Sequence, residues 1–195
     1  RIGGRKQADA FLQFLFNAMK PEGKPFSWMF NYKAMSTVDD EHDIAPLVFC
    51  AHSMTAIKHY EYFRDQKMLS EIIYPIVERV SQYAAAHFYT KEDGKWILSV
   101  PVSNDVVEDQ AREVNQTFTT LWFLVIFQKT LEFQKLLGIE QDPLLQDIVN
   151  NHKIEQDDRE YYHCKGQTAA QSTGASWIPF LCYPTEAMPF INMEL

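Results

Sequence analysis

The sequence predicts an all-α protein built from long helical hairpins, interrupted by one small β-hairpin. Three observations predict it. Leu69, Ile72, Ile73, Ile76, Val77, Val80, Tyr83, Ala84 and His87 recur in steps of three and four, which puts them on one helix face. The stretch 118–127 is apolar on nearly every side, as a helix covered all round must be. Strand character is confined to 96–100, just after the turn sequence Lys91-Glu92-Asp93-Gly94-Lys95.

The elements follow in order. Ala8, Phe11, Leu12, Leu15, Phe16 and Met19 give helical spacing over 7–19, and Pro21, Gly23 and Pro25 end it. An aromatic loop, 24–32, carries Phe26, Trp28, Phe30 and Tyr32. Asp43 is a fitting N-cap for a long helix over 44–64, with Pro46 tolerated in its first turn. In the apolar stripe, Pro75 either starts the main helix or kinks it. A polar loop from 101 to about 114 precedes a third long helix over 117–137, closed by Gly138. Asp142 caps a shorter helix over 143–152, with Pro143 at its first position. The tail is polar and poorly periodic until an apolar stretch at 175–183. No internal repeat and no linker appears, so a single domain over 1–195 is expected.

Composition narrows the function classes. Hydrophobic residues make up 46% of the chain, which excludes a disordered polymer. The net charge of −8 and the absence of a Lys/Arg-rich run argue against a nucleic-acid partner and suit a neutral substrate. No apolar run approaches the ~20 residues that span a bilayer, so no membrane partner is expected. The first residue is Arg1 and no signal peptide is visible, which leaves localisation open. Cys50, Cys164 and Cys182 fit no zinc motif and read as reduced thiols, with Cys50 buried in a helix. His52 and His59 are seven apart and share a helix face, but a third ligand is missing. No metal and no cofactor is expected.

Carboxylates and aromatic rings remain. Glycosidic cleavage needs two carboxyl groups across the scissile bond, one of them protonated. Asp105, Glu108 and Asp109 crowd one loop beside Val106 and Val107, just before the apolar helix. Mutual repulsion and reduced hydration both raise a carboxyl pKa, as a general acid requires. Read without that chemistry, the same residues are a solvated acidic loop. Trp28, Trp96 and Trp122 are candidate sugar platforms, although a tryptophan in such a setting is more often a core residue.

Three stretches together resemble the maltose, trehalose and kojibiose phosphorylases and related α-glucosidic hydrolases. The first is Glu41-His42-Asp43-Ile44-Ala45-Pro46-Leu47-Val48. The second is the helix ending at His87, followed by the Asp-Gly turn and Trp96-Ile97. The third is Asn115-Gln116-Thr117-Phe118-Thr119-Thr120, opening the apolar helix. The likeness covers roughly 8–137. It implies an (α/α)6 toroid of the six-hairpin glycosidase type and a carbohydrate substrate. Counting back from the third stretch, Glu108 falls at the family's general-acid glutamate; an alternative alignment gives that role to Asp105. The family's Pro-Asp-Glu-Tyr signature is replaced here by Val107-Glu108-Asp109. Trp28, Glu41, Trp96 and Asn115 become the expected substrate-binding positions. The opposing carboxylate falls in the unmatched tail, with Asp157 and Glu186 as candidates.

The expected function is therefore a glycoside hydrolase-like enzyme. Hydrolysis is favoured over phosphorolysis because no Ser-rich phosphate-binding motif is visible. A disaccharide phosphorylase and a non-catalytic helical scaffold for a protein partner are the alternatives. A toroid needs twelve helices, and about six are legible here. The chain is thus expected to be an excerpt of a larger catalytic toroid, its apolar helix covered by the remainder of that chain or by a homo-oligomer.

Overall fold

The computed structural model describes residues 4–26, 45–99, 114–154 and Lys165. The chain is mostly helical with one two-stranded antiparallel sheet. Helix α1 spans Arg5–Ala18, α2 Ala45–Phe63, α3 Gln66–Met68 and α4 Tyr74–His87. Strands β1 (Tyr89–Glu92) and β2 (Lys95–Leu98) follow, then α5 (Thr117–Leu137) and α6 (Pro143–Asn150). The expected elements over 7–19, 44–64, 117–137 and 143–152 are all present, with no end shifted by more than two residues.

Local chemistry accounts for the boundaries. Asp65 caps α3 by accepting from the main-chain N–H of Lys67 and Met68. Asp142 does the same for α6 through Leu144 and Leu145, with Pro143 at the first position. Gly138 ends α5 at φ 70, and Ile139 N–H returns to Gln134 O at 2.8 Å, a Schellman arrangement. Asp93 and Gly94 both have positive φ (50 and 79), the two-residue turn that the right-handed twist of a hairpin favours.

Pro75 stands in the first turn of α4, as expected, but the helical backbone does not begin there. Helical backbone runs without interruption over 66–87, and a π turn at Leu69–Ile73 directly precedes α4. Tyr74 N–H reaches Leu69 O, five residues back. A proline ring crowds the carbonyl four residues before it, here that of Glu71. Widening one turn relieves that crowding while the stripe stays on its face.

Contacts fix the helix directions. Phe49 of α2 stacks on Phe88, which meets Phe123 of α5 at 5.9 Å. At the other end Tyr60 of α2 meets Phe133 of α5 at 5.3 Å. Helices α2 and α5 therefore run the same way. Between them α4 runs opposite: Tyr74 pairs with Gln134, Ser81 with Thr130 and Phe88 with Phe123. Helix α1 opposes α2 through Asp9–His59 and Arg5–Asp65, and α6 opposes α5. Alternate helices are thus parallel, as in successive helical hairpins.

One continuous apolar cluster joins these elements. In α5, Leu121, Phe123, Leu124, Val125, Ile126 and Phe127 are all buried. That cover is provided within this chain, so the apolar girth of α5 does not by itself call for a second copy. Among the described residues, no helix is long and apolar enough to cross a membrane.

Candidate functional site

One end of the bundle gathers the hairpin, the start of α2, the end of α4, the start of α5 and the exit of α6. Its floor is aromatic. Phe49 and Phe88 stack at 5.8 Å, Phe88 and Phe123 meet edge to face, and Phe123 stacks on Phe127 at 5.8 Å. Tyr89 closes the group against Phe127 at 5.5 Å. Ring pairs at these separations add about 0.5–1.5 kcal/mol each beyond area burial, so the floor is stiff.

The outer edge of β2 lies over this floor. A sheet edge carries unpaired N–H and C=O groups that must find partners when covered. Trp96 N–H donates to Asn151 O at 2.8 Å, and Trp96 O accepts from Lys153 N–H at 2.9 Å. Two residues on, Leu98 N–H donates to Asn115 Oδ1 at 3.1 Å, and Leu98 O accepts from Asn115 N–H at 2.7 Å. Asn115 Nδ2 donates to Lys153 O at 3.1 Å. The edge is thus sealed by the exit of α6 and by one side chain. Asn115 sits at φ 51, a left-handed backbone that Asn tolerates better than most residues.

Two of the expected site residues, Trp96 and Asn115, fall among the described ones, and Lys153 links them. Neither is presented as a bare sugar contact. Asn115 is fully buried, and both ends of its carboxamide are engaged by main-chain groups. Trp96 is half-buried; its indole N–H donates to Asp147 Oδ2 at 2.9 Å. The ammonium of Lys91, its partner across the hairpin, stands 4.9 Å from the ring centroid and 2.7 Å from the same Asp147 carboxylate. Hydrogen bonds from Lys91, Trp96 and Asn151 hold the Asp147 carboxyl down at about 2. Trp122 is partly buried and packs against the core.

Glu108, Asp105, Asp109, Trp28, Glu41, Asp157 and Glu186 lie outside the described residues, as do Cys164, Cys182 and the 175–183 stretch. The described residues that border these sequence stretches share the hairpin end. Phe26 meets His52 at 4.8 Å, one helical turn from Phe49. Ser99 bonds to Phe88 O through both its N–H and its hydroxyl. Val114 O accepts from Lys165 N–H, and Lys165 pairs with Glu92 of the hairpin.

The histidines take separate places. Burial pushes His52 down to about 4, so its ring is neutral at ordinary pH. His59 is buried, with Nε2 2.7 Å from Asp9 Oδ1 on α1. Among the described residues, no group of His, Cys, Asp and Glu is placed to hold a metal ion. Cys50 is fully buried and free, and burial pushes its thiol pKa up. The Asp9–His59 and Trp96–Asp147 pairs escaped sequence reading because their members lie 50 and 51 residues apart. No protein-family model and no curated protein matches the chain.

Proposed function

We propose that the chain belongs to a glycoside hydrolase-like enzyme of the (α/α)6-toroid type, with Glu108 as general acid and Asp105 as the alternative. The observation that carries this reading is the arrangement of the hairpins. Helices α2 and α5 are parallel and each has antiparallel neighbours, an order that a wall of successive helical hairpins would need. The described borders of the stretch bearing Asp105 and Glu108 are joined to each other, and Phe26, which borders the stretch bearing Trp28 and Glu41, packs on His52 in the first half of α2. Rigid elements that present loops from one end are the usual setting for catalytic groups. A non-catalytic scaffold has no need of a sealed hairpin and an aromatic floor at that one end.

In this reading the carboxyl of Glu108 protonates the leaving oxygen, while a second carboxylate directs water or carries the sugar. Trp28 and Glu41 contact the carbohydrate, and Trp96 and Asn115 support the wall behind them. The test is cleavage of α-linked disaccharides by the full-length protein, with and without inorganic phosphate. Release of sugar without phosphate is expected. Strict dependence on phosphate would reassign the protein to the phosphorylases, and no cleavage under either condition would overturn both readings.

A further inference from the structure

Arg79 lies on α4, half-buried, and its guanidinium is hydrogen-bonded at one corner. Nη2 donates to the main-chain oxygen of Gly23 at 2.5 Å. Nε is buried and meets no acceptor among the described residues. The Tyr83 ring, one turn further along α4, has its centroid 5.9 Å from the guanidinium carbon. Among the described residues no carboxylate pairs with Arg79. Glu78 beside it accepts from the Tyr74 hydroxyl at 2.6 Å, whereas Lys58 and Lys129, half-buried like Arg79, both reach Glu61. A buried N–H on a charged group is costly to leave without an acceptor, and an ion is one of the few things that account for such an orphan.

Nε and Nη2 form one fork. In a guanidinium the Nε–H and the nearer N–H of Nη2 point the same way, spaced to meet two oxygens of a carboxylate or phosphate. Gly23 offers a single neutral oxygen, so one prong is filled and the other is not. The turn that supplies it is lightly held. Lys20 N–H closes it on Pro25 O at 2.8 Å, while Pro21, Glu22 and Gly23 are exposed. Among the described residues nothing lies within 4 Å of where a Gly23 side chain would stand. The turn also carries Lys20 and Lys24 against the one acid Glu22, a balance that favours an anion.

We propose that Arg79 is the receptor of an oxyanion site on α4: a ligand with two oxygens on one centre, a phosphate or a carboxylate, takes both prongs of the fork and displaces the Gly23 carbonyl. Binding exchanges one hydrogen bond to a neutral oxygen for two to a charged ligand, each roughly twice as strong as a bond between neutral groups. The site stands whether or not the chain is a glycosidase.

The test uses the full-length protein, isotope-labelled at arginine and lysine nitrogen for magnetic resonance. Inorganic phosphate and acetate are titrated separately, with chloride at matched ionic strength as the control. The Arg79 Nε–H signal, assigned by its loss in Arg79→Lys, is expected to shift saturably with at least one of the two anions. The Lys24 amide shares a peptide group with the Gly23 carbonyl, so it should move with the same midpoint. Affinity measured by calorimetry should fall about tenfold or more in Arg79→Lys, which keeps the charge and loses the fork. Saturation by phosphate alone assigns the site to phosphates, and by acetate alone to carboxylates. Responses no larger than those to chloride overturn the site. A shift at Arg79 with the Lys24 amide unmoved overturns the displacement of Gly23, and equal affinity in Arg79→Lys overturns the fork as receptor. The Lys24 response is read in wild type, so it decides the matter even if the lysine variant does not fold.

Discussion

Leu98 and Asn115 are reciprocal partners: each main-chain N–H donates to an oxygen of the other, at 3.1 Å and 2.7 Å. The first of these bonds runs to a side chain, so a single residue completes what a third β-strand would otherwise supply. Replacing Asn115 separates two costs. Asn115→Gly should lose about 1–3 kcal/mol, because the buried Leu98 N–H loses its acceptor. Asn115→Ala should lose at least about 1 kcal/mol more, since φ 51 strains a β-carbon. Urea denaturation of the two variants checks the order; alanine equal to or better than glycine contradicts the left-handed assignment.

His52 makes stability depend on pH in a defined window. Its folded pKa is about 4, against an ordinary 6.5. Above pH 6.5 the ring is neutral folded or unfolded, so nothing is lost. Below 6.5 the unfolded chain gains a proton that the folded ring refuses, and stability falls until pH 4. The full drop amounts to about 3 kcal/mol. Urea midpoints measured from pH 7 to pH 4 should decline in wild type and decline less in His52→Gln. Parallel curves would remove His52 as the cause.

Asp147 acts at lower pH. Its folded pKa of about 2 lies below the ordinary 3.8. The Lys91 and Trp96 contacts thus add stability that is complete above about 3.8 and lost as pH falls through about 2. Asp147→Asn should flatten that acid limb and speed exchange at the Trp96 and Lys153 amides, which join the hairpin to α6. Unaltered exchange at both amides would show that the seam does not need the carboxylate.

Phe123 stands where the aromatic floor meets α5, in contact with Phe88, Tyr89 and Phe127. Phe123→Ala should cost about 3–5 kcal/mol, the usual result of emptying a fully buried aromatic site. A thermal melt shifted by only a degree or two would mean the floor collapses to fill the gap.

Local signals were legible in the sequence, and long-range ones were not. The stripe from Leu69 to Ala84, the stop at Gly138, the Asp142-Pro143 start and the Asp93-Gly94 turn each depend on neighbours in sequence, and each holds in the structure, whereas His87 at the end of the stripe is exposed. Pro75 marks the first turn of α4 as the sequence predicts, whereas the π turn directly before it has no such local signal. The resemblance singles out Asn115 by position and says nothing of its surroundings. Its side-chain hydrogen bonds join residues 17 and 38 apart. Burial of α5 was foreseen, but the chain supplies its own cover. The convergence of Glu108, Trp28 and Glu41 falls outside the described residues.

In the proposed reading Glu108 supplies the proton to the leaving group, and Glu108→Gln in the full-length protein is its sharpest test. The variant cannot donate that proton, so turnover of an ordinary α-glycoside should fall at least about 100-fold, the span general acid catalysis usually contributes. Substrate binding should persist, and an activated substrate with a good leaving group should retain most of its rate, since its departure needs little protonation. That divergence between the two substrates is the predicted result. Near-normal turnover of the ordinary glycoside in Glu108→Gln would contradict the account and move the role to Asp105.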